Sequence, residues 1–174
     1  MQETPQQYTQ RILGYLEGKD LMEVLASTPR HLSELIHGFP REKLALRTIA
    51  DKWSVAEILA HLADSEMVYG YRIRIILEGD QPPIQATNQD KWAVFSNYAE
   101  CDPALSLEAL QADRARLLRL LQRLAPAGWE LYGIHSERGK ETVRRVAEML
   151  AGHDLNHLGQ VRERLPGKEA LGGR

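Results

Sequence analysis

Trp53-Ser54-Val55-Ala56-Glu57-Ile58-Leu59-Ala60-His61-Leu62-Ala63-Asp64-Ser65-Glu66 is the stretch that decides how this chain folds. Ser54 and Glu57 have the spacing of a capping box, in which the serine hydroxyl takes an orphan backbone N–H. The glutamate reaches back to the serine N–H. Trp53 and Ile58 flank the box at the spacing of a hydrophobic staple. Apolar residues then recur with helical period through Leu59, Leu62, Val68, Tyr69, Ile73 and Ile76 to Gly79. A long helix is expected there, with His61 inside it.

On the N-terminal side, helical periodicity runs from about Gln6 to His37, with expected breaks near Gly18 and at Thr28-Pro29. Gly38-Phe39-Pro40 stops it, because proline disfavours helical geometry in the preceding residue. On the C-terminal side, Asp80 to Asn88 with Pro82-Pro83 reads as a loop, followed by a short helix from Gln89 to about Tyr98. Asp102-Pro103 or Ser106 opens a third long helix, whose apolar face is Leu107, Leu110, Leu117, Leu118, Leu121 and Leu124. Ala125-Pro126-Ala127-Gly128 closes it, and Trp129 to Lys140 reads as a loop. A last helix starts near Thr142 and runs to about Leu165, where Pro166-Gly167 ends it. No run alternates as a strand would. The expected fold is all-α: a four-helix bundle with short additional helices in the connections, one domain over residues 1–174 with its core at about 20–166.

Composition narrows the function. A chain of 174 residues with 43% hydrophobic and 26% charged residues can bury a core, and nothing in it points to disorder. The formal net charge of −2 argues against a protein that grips phosphate backbones, so no nucleic-acid partner is expected. Arg114, Arg116, Arg119 and Arg123 crowd one helix and read as a solvated face. Cys101 is the single cysteine, which excludes an intrachain disulfide and a thiolate metal cage. Residues 1–7 carry neither a basic start nor an apolar run, and no stretch approaches the ~18 apolar residues of a membrane span. A cytoplasmic protein without membrane attachment is expected.

His153 and His157 lie four residues apart on the last helix, so both imidazoles face one way, one turn above the other. His61 shares a helix side with Ile58, Leu62 and Ser65 and should face inward, where an unpaired imidazole is costly. Its partner is either a nearby carboxylate, Glu57 or Asp64, or the two histidines across the bundle. Bundle metal sites are built in the second way, from inward side chains on facing helices.

The chain resembles the DinB-like superfamily, which includes the YfiT proteins. The resemblance rests on the stretch 53–66 quoted above and on His153-Asp154-Leu155-Asn156-His157-Leu158-Gly159-Gln160. Arg138-Gly139-Lys140-Glu141-Thr142-Val143, Asp90-Lys91-Trp92-Ala93 and Asp113-Arg114-Ala115-Arg116 extend it, over roughly residues 20–166. It implies a four-helix bundle, often a homodimer, that holds one divalent metal through His61, His153 and His157. Zinc or nickel suits these imidazoles first, with iron or manganese next.

Three nitrogen ligands leave open positions on an ion, the mark of a catalytic site. Two enzyme readings follow from the resemblance: a metal-dependent hydrolase or a thiol S-transferase, acting on a small molecule. The competing reading is a non-enzymatic stress or damage-response protein in which the metal is a structural clamp, closed by a fourth protein ligand. Glu57 and Asp64 are candidates to orient the far nitrogen of His61. Gln160 reads as a neighbour of His157 or of a pocket, Asn156 as a flank, and Trp92 as core packing before pocket rim. His135 lies in an expected loop as a mobile acid or base, while His31 and His37 read as surface residues. No catalytic residue beyond the metal is identifiable.

Overall fold

Asp20, Ser54, Asp102 and Thr142 set where the four long helices begin. Each accepts a first-turn backbone N–H, from Glu23, Glu57, Ala104 and Arg145 respectively. At Ser54 the full capping box forms, with Glu57 Oε2 accepting from the Ser54 N–H at 2.7 Å. The computed structural model describes residues 3–165, so the expected stop at Pro166-Gly167 lies outside the described residues. The helices are α1 (Pro5–Gly14), α2 (Leu21–Ile36), α3 (Arg41–Leu44), α4 (Val55–Glu78) and α5 (Gln89–Phe95). They continue as α6 (Pro103–Leu121), α7 (Pro126–Glu130) and α8 (Val143–Arg164).

α4 packs against α6 and α8, and α2 packs against the same two, which closes a four-helix bundle. α1 lies along α8, with its backbone on Gly152. A Cβ at that position would stand 2.1 Å from the Ile12 carbonyl oxygen, so only glycine allows the approach. No helix among the described residues is long and apolar enough to cross a membrane.

The strandless expectation is corrected. β1 (Pro83–Ile84), β2 (Tyr132–His135) and β3 (Gly139–Thr142) form a small sheet in that order, parallel between β1 and β2 and antiparallel between β2 and β3. The expected loop over 129–140 is therefore the end of α7, β2 and a hairpin turn, which Gly139 leaves at a φ of +75°. Segments of two to four residues are too short to show alternation. The sheet packs the loop after α4 against the entry to α8.

A second correction concerns α2, which passes through Thr28-Pro29 without a break. Proline has no N–H to give the Leu25 carbonyl. Arg114 supplies the missing donor, with Nη1 to Leu25 O at 2.7 Å. Thr28 turns its hydroxyl back to the Val24 carbonyl at 2.9 Å.

Arg114 itself overturns the expectation of a solvated arginine face. Arg116, Arg119 and Arg123 are exposed, but Arg114 is 1% exposed. It stands between Leu110 and Leu117, within the apolar stripe of α6. Its guanidinium meets Glu66 of α4 at 2.7 Å and Asp154 of α8 at 2.7 Å. One side chain thus joins all four long helices. Desolvation pushes the two carboxyls up, and the arginine between them draws both only part of the way back, so both stay raised.

This cluster belongs to a polar layer at mid-height of the bundle. On one side lies an apolar half that includes Leu25, Ile73, Leu117 and Val146. On the other lies a half that includes Leu32, Leu59, Leu110 and Val161. Each long helix contributes apolar residues to both halves and a polar group between them: Thr28, Glu66, Arg114, and Asp154 with the histidines of α8.

Candidate metal centre

The histidines of the polar layer converge. His61 Nε2 lies 3.0 Å from His153 Nε2, and His157 Nε2 lies 3.1 Å from the same atom. All three nitrogens fall within 4.8 Å of one another, and each residue is buried. Of the two partners left open for His61, the structure brings it to His153 and His157. Glu57 is occupied by its cap and by Arg47, and Asp64 accepts the Tyr98 hydroxyl at 2.6 Å. Neither carboxylate orients His61.

These residues fit a divalent ion. Nitrogens each ~2.1 Å from one ion stand about 3.0 Å apart at a right angle and about 3.4 Å apart at the tetrahedral angle, close to the two spacings at His153. Burial holds the imidazoles neutral, as ligands must be: it lowers the pKa of His61 to about 4 and of His157 to about 3, and it lowers that of His153 well below its usual value. The amide of Gln160 beside His157 acts against that lowering. The Nδ1 atoms of His153 and His157 are buried without hydrogen-bond partners, while their Nε2 atoms face each other. Among the described residues no fourth histidine, cysteine or carboxylate joins the group.

The cluster opens on a cleft of about 430 Å³, into which His61 and His153 both face. Asp64, Ser65 and Tyr98 line it beside the histidines. The Ser65 hydroxyl lies 3.4 Å from His61 Nε2. Trp92 is half-buried on this cleft, which corrects the core-packing expectation. Asn156 faces outward enough to accept from Arg11 at 3.3 Å. His37 is exposed and His31 half-buried, away from the cluster.

His135 is not in a loop. It ends β2, is 2% exposed and lines the same cleft. Its Nδ1 accepts the Glu137 N–H at 3.2 Å, and burial lowers its pKa to about 4. Arg72, Tyr69 and Arg138 also line the cleft; Arg138 was marked by the family resemblance and Tyr69 only as part of the apolar period, while Arg72 was not singled out in the sequence. Arg72 and Tyr69 sit inside a continuous helical pattern, where only the residues facing them reveal their use.

Fold and site together define a class: a four-helix bundle with a buried three-histidine cluster at the wall of an open cleft. The pattern of the DinB superfamily matches residues 25–161, and the chain belongs to that superfamily. A relative from Oceanobacillus iheyensis, provisionally named a metal-dependent hydrolase, is 26% identical over 133 residues, 76% of this chain and 77% of the relative. YfiT of Bacillus subtilis, provisionally named in the same way, is 24% identical over 144 residues, 82% of this chain and 80% of YfiT. The solved YfiT structure, described as an unusual four-helix bundle, superposes with a TM-score of 0.74 at 22% identity, covering 83% of this chain and 85% of YfiT. A mycothiol-dependent maleylpyruvate isomerase shares the fold more distantly. Its TM-score is 0.63 at 10% identity, over 85% of this chain and 60% of the isomerase.

Proposed function

We propose that His61, His153 and His157 hold one divalent transition-metal ion, zinc or nickel first by ligand type, and that the protein is a metal-dependent hydrolase of a small molecule. One observation carries the reading: three neutral, buried Nε2 atoms converge beside a cleft, with no fourth protein ligand among the described residues to close the group. A structural clamp would need that fourth ligand. The provisional names of the relatives support the same choice.

A bound ion would supply Lewis acidity, polarising a carbonyl and acidifying a nucleophile beside it. The chain supplies the rest. Asp64 reaches the cleft with its Oδ2 already engaged by Tyr98, which leaves Oδ1 as the acceptor for a proton from the reacting group. The bond also fixes that carboxylate in one rotamer, so the acceptor is in place before substrate arrives. The Ser65 hydroxyl, next to His61, can donate to a substrate oxygen. Trp92 gives the cleft an apolar aromatic surface against which a substrate can pack.

The test is metal analysis of untagged protein, followed by hydrolysis of a panel of esters and amides before and after chelation. About one ion per chain, with activity lost on chelation and restored by one ion, supports the proposal. Failure to bind any of zinc, nickel, iron or manganese overturns it. Turnover that requires an added small thiol would move the reaction to the transferase reading.

A further inference from the structure

Beyond the histidines the cleft is lined by Arg72, His135 and Arg138, with Glu137 also on the lining. Arg72 is 6% exposed, yet among the described residues no carboxylate lies within 4.0 Å of it. Its one hydrogen bond is Nη2 to the Gln85 carbonyl at 2.8 Å. Buried charges are normally paired, so this one stands out. Its neighbour Arg138 is neutralised by Glu141 at 2.7 Å and 3.0 Å. Arg72 has no such partner.

His135 adds a second, independent observation. Its Nδ1 is an acceptor for the Glu137 N–H, so in the neutral ring the proton sits on Nε2. That Nε2 is buried and has no hydrogen-bond partner. Arg72 and His135 line the same cleft, and both offer N–H groups without an acceptor. Tyr69 connects this end to the histidine cluster. Its ring centre lies 6.1 Å from that of His153 and 5.6 Å from the guanidinium carbon of Arg72.

We infer that Arg72 and His135 form a subsite for the carboxylate of a substrate whose reacting group sits at the three histidines. The inference rests on the proposed active site and adds the substrate class: a small acid, with its charged end several bonds from the bond that reacts. A carboxylate here would pair the unmatched cation and accept from the imidazole N–H, both as charge-assisted hydrogen bonds. Arginine suits it, because a planar guanidinium with one edge on Gln85 keeps its remaining N–H groups for an anion.

The experiment uses chelator-treated protein, so that a carboxylate has no ion to bind. Hexanoate and its uncharged counterpart hexanamide are titrated by NMR into wild type, Arg72→Gln, Arg72→Lys and His135→Phe, with folding checked by circular dichroism. The subsite predicts that wild type prefers the acid by at least tenfold, that Arg72→Gln loses this preference, and that Arg72→Lys restores part of it. His135→Phe should weaken the acid severalfold and leave the amide unchanged. Equal binding of acid and amide by wild type, no binding of the acid at tens of millimolar, or an undiminished preference in Arg72→Gln overturns the inference. Should Arg72→Gln fail to fold, the wild-type comparison and His135→Phe decide it. Metal content is measured separately on untreated protein. A chain that binds the acid but no metal refutes the hydrolase alone, and one that binds metal without preferring the acid refutes the subsite alone.

Discussion

Arg114 and Asp154 meet at 2.7 Å with both side chains sealed from solvent, one residue along α8 from the imidazole of His153. The same guanidinium holds Glu66 and the carbonyl that Pro29 leaves unserved. Stability and the geometry of the histidine cluster therefore share one side chain.

Replacing it should be costly. Arg114→Met leaves two buried carboxylates without a cation and the Leu25 carbonyl without a donor. Removing one partner of a buried pair typically costs about 3–5 kcal/mol, and that loss is expected here. Denaturant unfolding of both proteins at neutral pH measures it. A change under ~1 kcal/mol would mean that the layer holds no such charge balance.

His157→Ala should behave differently. The variant should fold, because the two apolar halves of the core are untouched, but it should lose most metal affinity. Melting curves with and without chelator check this. Chelation should lower the melting temperature of metal-loaded wild type and leave the variant unmoved. At ion concentrations a thousandfold above the dissociation constant the difference corresponds to roughly 4 kcal/mol. A variant melting far below chelated wild type would show instead that His157 serves packing.

Acid should unfold the chelated protein early. His61 and His135 have folded pKa values lowered to about 4, His157 to about 3, and His153 lies well below its usual value. The unfolded chain takes up these protons from about pH 6.5 downward while the folded one refuses them. Their contribution is fully present above that pH and falls away as the pH drops toward 4. The slope is up to about 1.4 kcal/mol per pH unit for each histidine. Glu66 and Asp154, whose carboxyls are raised, oppose the trend but are fewer. Unfolding free energies at pH 7, 6 and 5 test it, and a flat profile would contradict the burial of neutral imidazoles.

Gly152→Ala should detach α1. The added methyl would need the space of the Ile12 carbonyl, so α1 must move off α8. Overpacking of this kind costs roughly 1–3 kcal/mol or more. Hydrogen exchange should become faster across residues 5–14, and unchanged protection there would count against the close approach.

The helices and their starts were legible because capping chemistry and period are local: Ser54 with Glu57, and Thr142 ahead of Val143, can be seen without a partner. The convergence of His61, His153 and His157 was legible as a spacing on two helices, with the family resemblance naming it as one set. What stayed hidden is relational. Pro29 looked like a break because the donor that rescues its helix comes from a residue 85 positions on. Arg114 looked solvated because its basic neighbours are, although its place between Leu110 and Leu117 was the available clue. The strands escaped because two to four residues carry no period, and Arg72 because a charge inside a helical pattern does not say which wall it faces.

The polar layer also fixes how far each helix can slide along its axis. A slip of one turn, ~5.4 Å, would carry Arg114 or Asp154 among leucines and bring a leucine to the carboxylates. Apolar contacts alone tolerate such slips, since one leucine replaces another at little cost. Charges do not. The bundle is therefore indexed, tooth to notch, at the height where the three imidazoles must meet.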